Sequence, residues 1–290
     1  FIGGALLAEF GARGWRTVAV SRSAHVAGAD ETVSWGDSSG SPVAEALMKS
    51  EAVINLTGRS IMTRFTPETM KEIRSSRVEA TERIARLMGR LEQKPRVWVN
   101  ASAIGIYGDR GSRILTEASS IGTGFLPEAC AAWEHACLGA DLPEVRRAAL
   151  RIGIVLGKGG GAFEQLSKVT KMMAGGALGD GRQYMSWIHL DDLVQLFLWV
   201  VETEGVSGPI NGTAPNPVTN AEMMAAFREA YGRPFVPPAP AFVLRKVMPL
   251  MNLEPSLLLE GQRVVPELAQ AWGFEFGFSD LTYALHDLVG

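Results

Sequence analysis

Cysteine, histidine and charge of one sign are what this chain has least of. Two cysteines and four histidines occur in 290 residues. Cys130 and Cys137 stand on one expected helix, where their spacing separates the Cα atoms by roughly 10 Å and excludes a disulfide between them. A reducing compartment fits that usage. No His, Cys or carboxylate stands at ligand spacing around His189, so no metal site is expected. The 28 basic residues are balanced by 31 acidic ones, a net charge of −3, and nowhere form a long run. Nucleic acid is therefore not an expected partner, whereas a small molecule is. The longest apolar helix candidate, Leu193 to Val201, falls far short of the roughly 20 residues that cross a bilayer. With no membrane span and no signal-like segment, the expectation is a soluble cytoplasmic protein.

Two motifs are present only in part. Gly36-Asp37-Ser38-Ser39-Gly40 has G-x-S-x-G spacing, but a hydrolase elbow needs a firm strand before it and a helix after it, and the flanks here are turn residues. A serine hydrolase using Ser38 is thus a remote alternative. Gly153 precedes Gly157-Lys158 by one residue too few for a phosphate loop, and Gly159 follows where Ser or Thr is required.

What the chain does contain is alternation of strand and helix. Strands are expected at 17–20, 52–56, from 97 through the apolar run to 99, and 148–156, and helices at 5–10, 67–88, 126–138 and 193–202. That order predicts an α/β fold with a doubly wound parallel sheet. Phe1-Ile2-Gly3-Gly4 reads as the middle of a βα unit, so a first strand and a glycine turn, roughly ten residues, are expected to precede it. After Gly208 proline becomes dense, which suits short helices joined by rigid turns in a smaller, mainly helical region. Asp191 or Asp192 is expected to cap the helix that follows, and Thr219 or Asn220 the next.

The stretch from Val97 to Glu134 carries the candidate chemistry. Its apolar strand ends in small polar residues at the sheet's carboxyl edge, where ligands of open α/β sheets sit. Ser102 lies there, and Tyr107 follows in a glycine-bearing loop. The plainer reading of Ser102 is a hydroxyl bonded to nearby backbone.

At these residues the chain resembles a family. Phe1-Ile2-Gly3 is similar to the end of the G-x-x-G-F-I-G loop of the extended short-chain dehydrogenases/reductases, the NAD-dependent epimerase/dehydratase group. INLTG at 54–58, ASAIGIYG at 101–108, LRIGIVLG at 150–157 and GDGRQYMSWIHLDDL at 179–193 support the same resemblance. The tail at 257–276 resembles the C-terminal extension of one branch, epimerase-like proteins ending in a domain of unknown function of the DUF1731 type.

The resemblance implies a Rossmann domain over 1–157, with 183–203 packing back on it. It also implies a substrate region over 158–290, of which 240–290 is the extension. Phe1, Ile2 and Gly3 would hold a pyrophosphate at a helix N-terminus. Leu56, Thr57 and Gly58 would lie under the cofactor, Ile154 near its nicotinamide, and Glu72 and Arg77 on its helix side, unless these two are ordinary surface charges. Ser21-Arg22 stands where an NAD site usually offers a carboxylate. Arginine can instead grip a 2′-phosphate, so NADP (NADPH) is expected in preference to NAD, unless Arg22 is simply exposed.

One departure limits the implied chemistry. Relatives with hydride chemistry carry Tyr-x-x-x-Lys after the serine; those slots here hold Leu126 and Cys130. Two functions follow. One is an NADP-dependent epimerase or oxidoreductase acting on a small carbonyl or sugar-like substrate, with Ser102 and Tyr107 polarising the carbonyl. The other is a catalytically reduced NADP-binding regulatory or interaction module. The helices at 67–88 and 126–138 suggest a homodimer, with Met70, Ile73, Met88 and Trp133 as its apolar surface.

Overall fold

An unbroken apolar run such as Val97-Trp98-Val99 is stable as a strand where both faces of its sheet are covered. The computed structural model describes residues 1–36 and 41–290, and in it these three side chains are fully buried. Ser38 lies outside the described residues. In chain order the elements are α1 Ile2–Ala12, β1 Val18–Ser21, β2 Glu31–Ser34, α2 Ser41–Met48, β3 Ala52–Asn55, α3 Pro67–Gly89, β4 Val97–Ala103, β5 Ile114–Leu115, α4 Phe125–Leu138, β6 Arg146–Ile152 and β7 Ile154–Leu156. Then come α5 Gly161–Lys171, β8 Tyr184–Met185, β9 Trp187–His189, α6 Leu190–Glu202, β10 Gly208–Gly212, β11 Val218–Thr219, α7 Asn220–Ala230, α8 Ala241–Val247, α9 Ser256–Leu259, β12 Arg263–Val264, α10 Glu267–Ala271 and α11 Leu281–Val289.

The main sheet is parallel throughout, in the order β10-β6-β4-β3. β1 and β2 form a separate parallel pair. The Rossmann-like α/β class is therefore as expected. β10 was not anticipated, because Gly-Pro-Ile-Asn-Gly has poor strand propensity; among the described residues it pairs with β6 alone, and such an edge position tolerates proline. The chain thus returns to the large sheet beyond residue 203. The expected strand at 148–156 is two strands. At Gly153 the chain leaves β10 and joins β9, with Gly153 N donating to Gly212 O at 3.0 Å and Ile154 N to Ser186 O at 2.8 Å. A Cβ on Gly153 would stand 2.5 Å from Ser186 O, so the switch needs glycine. α2 and α5 were also unread, each lying beside a glycine-rich stretch that reads as loop.

α3 and α4 pack against each other, which removes most of the surface expected to form a dimer. Ile73 is 1%, Met88 0% and Trp133 5% exposed, so these three side chains belong to the chain's own interior. Met70 is half-buried. No described helix is long and apolar enough to cross a membrane.

The caps of α6 differ from expectation in a way that binds the end of the chain to β9 and α6. His189, not an aspartate, is the N-cap, its Nδ1 accepting from Asp191 N at 3.2 Å. Asp192 instead accepts from Gly277 N at 2.8 Å and Phe278 N at 2.9 Å. The His189 ring stacks on Phe278 with centroids 3.8 Å apart. At the far end Arg146 donates to the carbonyls of Val200 and Val201, groups a helix C-terminus leaves open, and to that of Val206 beyond it. α7 is capped as expected by Thr219, in a box with Glu222.

Burial holds the His189 pKa below its ordinary value, against the carboxylates of Asp191, Asp287 and Asp192, which pull it up. A depressed folded-state pKa favours the neutral ring. The stability this contributes is present above the unfolded value of about 6.5 and is lost as pH falls below it towards the folded value. Asp192, raised by burial, works in the opposite sense. His189→Asn keeps a capping side chain and removes the titration. The drop in thermal midpoint between about pH 7.5 and about pH 5.5 is expected to be smaller in the variant than in wild type. An equal drop in both proteins contradicts the assignment.

Candidate cofactor cleft and its buried relay

Asn55, the last residue of β3, sits opposite Asn100 in the middle of β4, and both are buried. A buried amide must find partners. Asn55 Nδ2 donates to Asn100 Oδ1 at 2.6 Å and Thr81 Oγ1 at 3.0 Å, while its Oδ1 accepts from Thr57 N at 3.1 Å and Thr57 Oγ1 at 2.6 Å. Thr81 also accepts from Trp133 Nε1 at 3.0 Å. One polar cluster therefore fixes α3 and α4 to the sheet and bends the chain at Thr57-Gly58.

Several residues expected to bind a cofactor meet at this edge. Gly3 on α1 faces Leu56, with 3.5 Å to a Cβ built on it. Ile2 and Leu56 share the same apolar core. The Phe1 ring lies against Gly157, Gly160 and Gly161, in the loop that follows Ile154 and the rest of β7. The Arg77 guanidinium lies on Gly58, where an added Cβ would stand 3.1 Å from Cζ. Arg77 Nη1 donates to Ile73 O at 2.9 Å, and Cζ is 5.1 Å from the Trp133 ring centroid. Burial depresses the Arg77 pKa. Among the described residues it makes no ion pair.

Other expected residues stand apart from that group. Ser21 accepts from Ser23 N at 3.1 Å, and Arg22 is exposed just beyond β1. Glu72 is exposed and paired with Arg59.

Ser102 and Tyr107 are brought together, but inside the protein. Ser102 is 3% and Tyr107 0% exposed. Ser102 Oγ donates to Glu134 Oε1 at 2.6 Å. Arg151 grips the same carboxylate with two bonds of 2.8 Å and donates to Tyr107 Oη at 2.8 Å; Tyr107 donates to Asn211 Oδ1 at 2.7 Å. Register explains the row, since Ser102, Arg151 and Asn211 are direct neighbours across β4, β6 and β10. Burial raises the Tyr107 pKa, with Arg151 opposing, so the phenol stays protonated near neutrality.

The Tyr and Lys slots of α4 offer no replacement. Leu126 packs towards Gly105. Burial first, and then Glu134, push the Cys130 thiol up to about 12, which rules out a thiolate near neutral pH. No group of three metal-ligating side chains occurs among the described residues.

Glu134, Arg151 and Asn211 were not singled out in the sequence. The available signal was a charged residue inside the apolar run Ala148-Ala149-Leu150-Arg151-Ile152, since a buried charge needs a partner. Also unforeseen is a cavity of about 500 Å³ between Arg64-Phe65 and the C-terminal segment 245–260. A second hollow of about 420 Å³ lies by Arg146, Arg147 and Gly208, at the amino ends of β6 and β10, away from the edge where such sheets bind ligands.

The buried pair sets a stability prediction. Glu134→Ala leaves Arg151 uncompensated and is expected to cost about 3–5 kcal/mol. The double variant Glu134→Met/Arg151→Met is expected to recover part of that loss. Urea denaturation of the three proteins checks both statements.

Comparison with known proteins bears on this cleft. The model of the NAD dependent epimerase/dehydratase family matches residues 1–211, and that of a domain of unknown function, DUF1731, matches 239–288. An Arabidopsis thaliana protein named "Epimerase family protein SDR39U1 homolog, chloroplastic" is 41% identical over 242 residues, 83% of this chain and 69% of that protein. "Epimerase family protein YfhF" of Bacillus subtilis is 38% identical over 237 residues, 81% of this chain and 77% of its own length. The crystal structure of human epimerase family protein SDR39U1 (isoform 2) with NADPH superposes with a TM-score of 0.87 at 31% identity, covering 100% of this chain and 96% of that one. On fold, family match and identity together, the chain belongs to the NAD-dependent epimerase/dehydratase family.

Proposed function

We propose that this chain binds NADPH in preference to NADH along Phe1–Gly3, Leu56–Gly58 and Arg77, and uses it on a small carbonyl or sugar-like substrate. The observation that carries the reading is Arg77, a partly buried cation that makes no ion pair among the described residues, set against the bare backbone of Gly58 at the sheet's carboxyl edge. Such a group is costly unless an anion completes it. A dinucleotide supplies phosphates at that edge in this fold. The human relative was crystallised with NADPH, which supports the choice.

When bound, the cofactor supplies hydride chemistry. The chain's own part is to orient and to exclude water. Ser102 and Tyr107 act in this reading as positioning residues: their protons are committed to Glu134 and Asn211, and they hold β4 and the Tyr107 loop against Arg151. A second reading, a binding module with little turnover, is favoured by Leu126 and the high-pKa Cys130 in the reactive slots.

Cofactor titration by fluorescence separates the contributions. Arg77→Ala is expected to weaken NADPH and NADH alike, and Arg22→Ala to weaken NADPH selectively, each by roughly 1.5–3 kcal/mol for a charge-assisted bond. Unchanged affinity in Arg77→Ala defeats the proposed cleft, and equal losses for both cofactors in Arg22→Ala defeat the NADPH preference. NADPH consumption in the presence of a carbonyl panel distinguishes the enzyme from the binding module.

A further inference from the structure

The cavity at the C-terminal extension has a chemistry of its own. Its volume of about 500 Å³ lies in the range of small-molecule sites. Phe65 and Leu259 give it apolar walls. The Phe65 ring is fixed edge-on to Phe125 at 5.1 Å, and its backbone N donates to Glu254 Oε2 at 3.2 Å. Asn252 Nδ2 reaches Thr63 Oγ1 at 3.4 Å, a second tie between the same two segments. The walls are therefore held by contacts that leave the two cations of the cavity out.

Those cations are Arg64 and Arg245, both lining the cavity and exposed to it. Neither stands within 4.0 Å of a carboxylate among the described residues. Glu254 is committed to the Phe65 amide. Glu260 is the remaining acid; burial and then the nearby Asp109 raise its pKa, while Arg245 lowers it. Two guanidiniums without ion-pair partners over an apolar wall match an oxyanion attached to an apolar body, because a guanidinium fork binds carboxylate or phosphate through paired bonds. Glu260 opposes that anion and limits its affinity.

We propose that this cavity binds a small amphiphilic oxyanion, with Arg64 and Arg245 holding the head group and Phe65 and Leu259 the body. That the bound molecule is the substrate rests on the cofactor reading above; that it binds does not. Phe125, against which Phe65 packs, directly precedes Leu126, so the cavity adjoins the helix end that carries the reactive phenol in relatives.

The test uses the full chain, with and without saturating NADPH, and calorimetric titration of 2-naphthoate, 2-naphthamide and phenyl phosphate. The naphthoate is expected to bind at least about tenfold more tightly than the uncharged amide. Arg64→Ala and Arg245→Ala should each weaken it by about tenfold, the corresponding lysine variants by less, and Glu260→Gln should strengthen it. Tighter binding of phenyl phosphate than of naphthoate assigns the head group as phosphate within the same proposal. Equal binding of acid and amide, no binding of either anion, or unchanged affinity in the double arginine variant overturns it. NADPH titration of the same samples keeps the two readings apart. Loss of cofactor binding by the wild-type protein removes the cofactor reading and leaves the anion result to be judged alone.

Discussion

The Glu134–Arg151 ion pair is the interaction on which the rest of the architecture depends. Both partners are buried, so each loses hydration that the other must replace. The replacement is nearly complete: Arg151 makes two bonds to the carboxylate and one to Tyr107, and Glu134 accepts from Ser102 as well. Desolvation lowers the Arg151 pKa, but the bonds and charge of Glu134 more than reverse that effect. Because α4 supplies Glu134 and β6 supplies Arg151, the pair sets how deeply α4 sits on the sheet. Asn211 extends the constraint outward. Its amide donates to Val265 O at 3.0 Å, and its backbone N donates to Glu117 at 2.9 Å, so the C-terminal extension is tied into the same relay.

A second tie joins that extension to β9 and the start of α6 through His189 and Asp192. Together the two ties explain why an Asp-Asp pair that looks like a helix cap is not one. An exposed helix start would use an aspartate to satisfy its own backbone, but here the free N–H groups of Gly277 and Phe278 compete for Asp192, and the neighbouring histidine takes the cap. Sequence alone shows the donor residues of a turn; it does not show which distant backbone will arrive beside them.

The same distinction divides what was legible from what was not. β4, α3 and α4 were readable because burial on both faces and helical periodicity leave local traces. β10 left none, since an edge strand of Gly, Pro and Asn is held by its neighbour and not by propensity. Gly153 looked like one more apolar-run residue, although its lack of a side chain is what lets the strand change partners. At the site, the run that holds Ser102 was readable, but the direction of its hydroxyl was not. That direction follows from Glu134, which accepts the hydroxyl and is itself held by Arg151 standing opposite Ser102 on β6, an arrangement with no local signature. Ile73, Met88 and Trp133 were equally ambiguous, because an apolar helix residue looks alike whether it faces a sheet or a partner.

Placing the polar relay inside the protein has a consequence for chemistry. A group that donates or accepts a proton during a reaction must reach the reacting atom. Ser102 and Tyr107 are closed off by Glu134, Arg151 and Asn211, Leu126 has no proton to give, and Cys130 is buried with its thiol protonated. Among these four residues of the central strand, the loop after it and α4, where the resemblance directs attention, none is an exposed acid or base in this structure. Arg64, Arg245 and Glu260, by contrast, are all exposed and line the cavity beside the C-terminal extension.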